Sequence, residues 1–319
     1  MNTPTTRFHF GWQLTGKCNL HCAHCLRQRH DKPPHELSKV ERQRILVDYI
    51  DFLRECKMTG SIQFSGGNPM LVPDIWDLLK MAGEAKHAGL IENYHILGNP
   101  ETLNIRNVSL LREYACDMFF VSLDGAKQET NDTQRGPGNY QAALWAIKAI
   151  ADTGVRVNIK YTITSRNYLE TLDAAELCRK LGACKFVIGS LNQHDDLLDL
   201  ECLKLTENQE TQVSGWIETY NAKLEDKSYE IRWRGTYGRQ EKTPPLPPKR
   251  ENGIGCVVWE DGGVHLRNMH PSPVIGYVPQ ESFRQIHAKL KLKDDELHTK
   301  EQPFTRSSGF SSLPSVQMI

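Results

Sequence analysis

The sequence predicts an α/β fold built from parallel βαβ units. Six short strand-patterned runs alternate with helical stretches between residues 7 and 190. The junctions carry Gly, Asn-Pro or capping signals rather than the two-residue turns of hairpins. Right-handed crossovers then lay successive strands side by side. These patterns leave an open doubly wound sheet and a barrel equally allowed.

Each element has its own local cause. Residues 7 to 15 alternate Phe8, Phe10, Trp12 and Leu14 with His9, Gly11 and Gln13, the period of a strand. Ser38 and Glu41 form a capping-box pattern that opens a helix to about residue 57. A second strand at 60 to 65 ends in Gly66-Gly67-Asn68-Pro69, and a helix from 73 to 88 stops near Gly89. The third strand spans 92 to 98 and its helix 104 to 114. The fourth, 117 to 123, ends in Ser122-Leu123-Asp124-Gly125. Ala143, Ile147 and Ile150 mark a helix over 139 to 152 that stops at Gly154. A helix over 168 to 181 stops at Gly182, and Lys185 to Gly189 is the sixth strand.

The fifth strand, 155 to 164, carries functional information. Val155, Val157, Ile159, Tyr161 and Ile163 alternate with Asn158, Lys160, Thr162 and Thr164. A parallel strand covered on both faces is apolar on both. One polar face therefore predicts a wet lumen that holds ligand, or else a solvent-facing edge.

After residue 190 the alternation stops. A helix at 204 to 224 leads to a strand-like Tyr229 to Trp233, and the run Thr243-Pro-Pro-Leu-Pro-Pro-Lys-Arg reads as a stiff linker. A hairpin over 255 to 267 turns at Asp261-Gly262, and an amphipathic helix covers 281 to 292. The expected domains are a barrel core at 1–192, a C-terminal cap at 193–293 and a polar, disordered tail at 294–319.

Bulk composition excludes some partners. With 39 basic and 39 acidic residues the chain carries no electrostatic footprint for nucleic acid or an acidic membrane. No apolar run reaches the roughly 20 residues of a membrane span, and the first residues lack the apolar stretch of a signal peptide. A cytoplasmic location is expected, and the nine cysteines then read as reduced thiols or metal ligands.

Three of those cysteines stand in one loop. Cys18, Cys22 and Cys25 give the spacing C-x3-C-x2-C directly after the first strand. Three local thiolates can hold three irons of a four-iron cluster and leave the fourth open to a ligand, whereas four cysteines would close it. The competing reading is a zinc site completed by His21 or His24. Zinc usually pairs one C-x2-C with a second pair downstream, and no such pair follows.

The cysteine spacing and its place after the first strand resemble the radical S-adenosylmethionine (SAM) enzymes. That resemblance covers about residues 8 to 190, and more weakly 254 to 292. It implies a partial (β/α)6 TIM-like barrel with its site at the strand C-terminal ends. It implies one [4Fe-4S] cluster on Cys18, Cys22 and Cys25, and SAM on the open iron. Gly66, Gly67, Asn68 and Pro69 match the family's Gly-Gly-Glu turn, which holds the SAM amino group; Asn68 stands where Glu is common. Asn can accept from an ammonium, but without charge assistance. Ser122 matches a fourth-strand serine that contacts SAM, and Arg135 an arginine that pairs with the SAM carboxylate.

The C-terminal stretch around Cys256, Asp261-Gly-Gly-Val and Ile275-Gly-Tyr resembles a degenerate SPASM extension. Past the barrel only Cys202 and Cys256 remain, too few for a further four-cysteine cluster. Cys256 is a candidate hydrogen-atom donor at the barrel mouth, against the alternative of a small buried core residue. The resemblance implies a peptide-modifying maturase served by a flavodoxin- or ferredoxin-type electron donor. The alternatives are an epimerase or dehydrogenase of a small polar metabolite such as an aminosugar, and a non-catalytic cluster-binding relative in which the loss of Glu at position 68 marks lost activity.

Overall fold

The computed structural model describes residues 6–25, 35–191, 200–226, 228–233, 253–266 and 273–299. The barrel half follows the expected order: β1 (Arg7–Gln13), α1 (Lys39–Glu55), β2 (Thr59–Ser65), α2 (Ile75–His87), β3 (Ile91–Leu97), α3 (Ile105–Glu113) and β4 (Met118–Ser122). Then come α4 (Gln128–Arg135), α5 (Asn139–Asp152), β5 (Arg156–Ile163), α6 (Thr171–Lys180) and β6 (Lys185–Ser190). The remaining elements are α7 (Glu207–Lys223), β7 (Glu230–Trp233), β8 (Gly253–Val258), β9 (Gly263–Leu266), β10 (Val274–Tyr277) and α8 (Phe283–Thr299). The short helix α4 has no counterpart in the sequence reading, because its eight polar residues carry no apolar stripe.

The ten strands among the described residues form one sheet, ordered β10-β9-β8-β1-β2-β3-β4-β5-β6-β7. From β8 to β7 every pairing is parallel, so the parallel part has eight strands and not six. β7 adds beyond β6 and β8 beside β1; β8, β9 and β10 then run antiparallel. The C-terminal strands thus continue the barrel sheet at its two edges. The predicted linker at 243–250 and the tail from 300 lie outside the described residues. α8 runs to Thr299, six residues into the expected tail.

One sheet face is sealed and the other is wet. Phe8, Phe10, Trp12, Ile62, Phe64, Ile96, Phe119, Val121, Ile159, Phe186 and Ile188 are all at most 1% exposed. On the opposite face of the same strands His9, Gln13, Gln63, His95, Ser122 and Thr162 are half-buried, and Lys160 is exposed. A doubly wound sheet has helices on both faces. Among the described residues helices seal one face only, which fits the partial barrel.

The sealed face is closed by an aromatic cluster between β1, α1 and α8. The Phe283 ring lies 5.0 Å from both Phe10 and Tyr49, and Phe8 lies 5.2 Å from Phe52 edge to face. The predicted capping box is formed: the Ser38 hydroxyl accepts from Glu41 N–H, and the Glu41 carboxylate accepts from Ser38 N–H.

Candidate functional site

β1 delivers the cysteine loop to the C-terminal end of the sheet, and three neighbouring turns hold it there. Gly67 N–H donates to Thr15 O at 2.7 Å and Asn68 N–H to Lys17 O at 2.8 Å, so the turn after β2 is stitched to the start of the loop. This contact explains both glycines. Gly66 has φ +126°, and a Cβ there would lie 2.5 Å from the Thr15 carbonyl oxygen; a Cβ at Gly67 would run into that of Lys17. Glu36 clamps the other side, its Oε1 accepting from Thr15 Oγ1 at 2.8 Å and Gly16 N–H at 2.7 Å. Further along, Ala23 N–H donates to Gln134 O at 2.8 Å.

Cys18, Cys22 and Cys25 are each half-buried in this loop. Asn99 Nδ2 lies 3.1 Å from Cys18 Sγ, and Arg135 Nη1 lies 3.9 Å from Cys22 Sγ. Burial pushes the Cys22 thiol up to about 11, against the pull of the Arg135 guanidinium. Donors aimed at two of the three sulfurs fit a thiolate ligand set. Among the described residues no three His, Cys, Asp or Glu side chains converge on one metal-ion position. A tetrahedral zinc site needs such convergence. Cysteines that each bind a different iron of one cluster do not. His24, a candidate zinc ligand, instead has Nε2 3.6 Å from the Asp124 carboxylate.

Two residues expected to contact SAM also have partners within the protein. Asn68 is fully buried, and its amide is filled by the protein. Oδ1 accepts from Met70 N–H and Asn99 N–H, each at 3.2 Å, while Nδ2 donates to Asn19 Oδ1 at 2.7 Å and to Thr102 Oγ1 at 3.3 Å. An amide has four such valences, and all four meet protein groups here. Arg135 is also buried, with Nε 2.7 Å from Asp124 Oδ2. Burial disfavours its charge, but Asp124 and Cys22 outweigh that and hold the guanidinium more firmly protonated than usual. It ties the cysteine loop to Asp124 through its contact with Cys22.

Ser122 sits half-buried on the wet face at the end of β4, in register with Lys160 of β5. Cys256 does not face the barrel mouth. It is in register with Phe10, fully buried on the sealed face, and close enough to Tyr49 to perturb the phenol. The side-chain alternation of β8 puts Gly255 and Val257 on the wet face instead, so the hydrogen-atom-donor expectation for Cys256 is corrected.

Sequence reasoning missed Asn19, Asn99, Glu36 and Asp124. Asp124 is fully buried, and besides Arg135 its Oδ1 accepts from Thr162 N–H at 2.7 Å. A signal for Asn99 was present: Asn68-Pro69 and Asn99-Pro100 both follow strands and both open a 3-10 turn.

A one-sided parallel barrel with three thiols gathered at the strand C-terminal ends defines a metal-cluster enzyme scaffold. The family model described as the radical SAM superfamily matches residues 12–178, more than half of the chain. The chain belongs to that superfamily, an enzyme family whose cofactors are a [4Fe-4S] cluster and SAM.

An AdoMet-dependent heme synthase of Oleidesulfovibrio alaskensis is 28% identical, over 67% of this chain and 53% of its own length. Mycofactocin maturase MftC of Mycobacterium ulcerans is 33% identical, over 54% of this chain and 44% of its own. The chain spans about half the length of these curated relatives. Among solved structures, Streptococcus suis SuiB bound to S-adenosylmethionine superimposes with a TM-score of 0.68 at 15% identity, covering 89% of this chain and 66% of SuiB. SuiB is also known bound to its precursor peptide SuiA.

Proposed function

We propose that this protein is a peptide-modifying radical SAM enzyme whose single [4Fe-4S] cluster is held by Cys18, Cys22 and Cys25. The observation that carries the reading is the pair of donors, from Asn99 and Arg135, directed at two sulfurs of one loop at the mouth of a wet barrel face. When bound, the cluster and SAM supply a radical that takes hydrogen from the substrate. The chain's own part is positioning and exclusion of water. Backbone groups of Gly66, Gly67 and Pro69 face the SAM amino end in this reading, and the Ser122 hydroxyl contacts SAM from β4. Asn68 shapes that turn from beneath, so its departure from Glu is no sign of lost activity.

The maturase assignment draws on the names of MftC and on the SuiB–SuiA complex. A flavodoxin- or ferredoxin-type protein is the proposed electron donor. A cytoplasmic setting suits a chain whose nine cysteines are joined by no disulfide. No helix among the described residues is long and apolar enough to cross a membrane.

The test is 5′-deoxyadenosine formation after anaerobic reconstitution with iron and sulfide, with SAM and a strong reductant. The variant with Cys18, Cys22 and Cys25 all changed to Ala is the control. Product from the wild type alone supports the site; an assembled cluster that never yields product counts against catalysis. A peptide deuterated at the attacked position should pass label into 5′-deoxyadenosine.

A second reading, a small polar metabolite that is epimerised or oxidised, is favoured by Lys160. It stands exposed on the wet face, one strand from Ser122 and on the same side of β5 as Asn158 and Thr162. Such a substrate would make turnover depend on this cation: Lys160→Met would abolish coupled turnover and leave uncoupled SAM cleavage unchanged.

A further inference from the structure

We propose that Asn68, Asn19 and Asn99 form an amide relay that aims a side-chain N–H at the Cys18 sulfur and thereby raises the reduction potential of the cluster. The inference rests on the cluster site proposed above. Its starting point is a backbone constraint. Asn68 Oδ1 faces two main-chain N–H groups, those of Met70 and Asn99, both at 3.2 Å. A main-chain N–H can only donate, so the Asn68 amide has one allowed orientation. Its Nδ2 must then donate, and Asn19 Oδ1 receives it at 2.7 Å. That fixes Asn19 in turn. Asn99 lies 3.0 Å from the same Asn19 oxygen, so the Asn99 atom there must be Nδ2. The second hydrogen of that Nδ2 is directed at Cys18 Sγ, 3.1 Å away. Asn19 Nδ2 continues to Glu101 Oε2 at 3.4 Å, which also suits only a donor.

Three amides thus read one orientation from the backbone of the Gly-Gly-Asn-Pro turn and deliver it to a ligand sulfur. The relay gives the unusual residue at position 68 a purpose. A carboxylate there accepts from both backbone N–H groups but has no hydrogen for Asn19. Asn19 would rotate to present Nδ2, Asn99 would rotate after it, and an oxygen would face the sulfur. Hydrogen bonds to ligand sulfurs are one of the terms that set iron–sulfur potentials, because they favour the more negatively charged reduced state. Charge on the acceptor strengthens them.

The experiment is an EPR-monitored redox titration of reconstituted wild type, Asn99→Ala, Asn99→Asp and Asn68→Asp, with Asn208→Ala, exposed on α7, as a surface-asparagine control. Iron and sulfide are counted in every sample. The expected midpoint potential is highest in wild type, lower in Asn99→Ala and Asn68→Asp, lowest in Asn99→Asp and unchanged in Asn208→Ala. Loaded Asn99 variants that keep the wild-type potential overturn the relay, as does a shift of equal size in Asn208→Ala. If the Asn99 variants do not load, nitrogen hyperfine spectroscopy on wild type labelled with 15N-asparagine decides. A side-chain amide coupling to the reduced cluster supports the relay, and its absence overturns it. Wild type that binds no iron defeats the cluster site itself, a separate outcome from an unshifted potential.

Discussion

The two flanks of the cysteine loop are held by opposite means. On the Cys18 side the partners are neutral amides: Asn99, Asn19 and the fully buried Asn68. On the Cys22 side the partner is a buried ion pair, Arg135 with Asp124. A hydrogen-bonded path joins them around the back of the site. Glu101 Oε1 accepts from Asn139 Nδ2 at 2.5 Å, Asn131 Nδ2 donates to Asn139 Oδ1 at 2.9 Å, and Asp124 N–H donates to Asn131 Oδ1 at 2.8 Å. Amides fix direction at small desolvation cost. A buried ion pair supplies a permanent charge beside a thiolate, and its two halves are costly to separate. The first flank suits tuning, and the second suits holding an anionic cluster in place.

The largest expected effect breaks the charged flank. Arg135→Met leaves the fully buried Asp124 carboxylate uncompensated, and removing one partner of a buried pair costs about 3–5 kcal/mol. Urea unfolding should show that loss, and Arg135→Lys should recover part of it. A midpoint unchanged in Arg135→Met would mean the pair is not the support described here.

The amide flank should break more gently. Asn68→Ala strips acceptors from two main-chain N–H groups at 3.2 Å, and leaving such buried donors unmade costs about 1–3 kcal/mol. Its unfolding midpoint should lie between those of wild type and Arg135→Met.

A pH scan sharpens the contrast by removing a background common to both flanks. His287 packs 5.2 Å from Phe52 and 5.7 Å from Phe8, far from the loop in the fold, and burial lowers its pKa to about 4. Lys291 adds to the shift. Unfolded, the imidazole returns to its usual value near 6.5. The contribution of neutral His287 is therefore complete above about pH 6.5 and is lost as pH falls through 4. Tm measured between those limits should fall less steeply in His287→Phe than in wild type, by a similar amount in either flank variant. The smallest effect belongs to Glu36→Gln. It keeps an acceptor for Thr15 and Gly16 and loses only the charge, so about 0.5–1 kcal/mol is expected by chemical denaturation.

Much of the scaffold was legible because its signals are local. The alternation of Phe8, Phe10 and Trp12 with His9 and Gln13 assigned the two faces of β1 before any packing was known. The Ser38 box placed the start of α1. The polar side of β5 pointed to a wet face, and Lys160 stands exposed on it. The cysteine spacing pointed to the superfamily. What was not legible depended on distant partners. Nothing near Arg135 in the sequence shows that it pairs with Asp124 of the preceding turn and lies against Cys22, more than a hundred residues earlier in the chain. Cys256 looked spare because nothing in its neighbourhood of sequence shows that β8 pairs with β1 and inherits its facing.

The sequence by itself determined the βαβ order, which strand faces are apolar and the set of three thiols, since these follow from periodicity and spacing within a few residues. Only the tertiary structure decided that the described helices cover one face, that β7 and β8 extend the sheet, and that Asn68 meets Asn19 and Asn99. The physical reason is one of range. Backbone geometry imposes period two or 3.6 along the chain itself. A buried polar group must instead find its partner wherever the fold brings one within 3 Å or so.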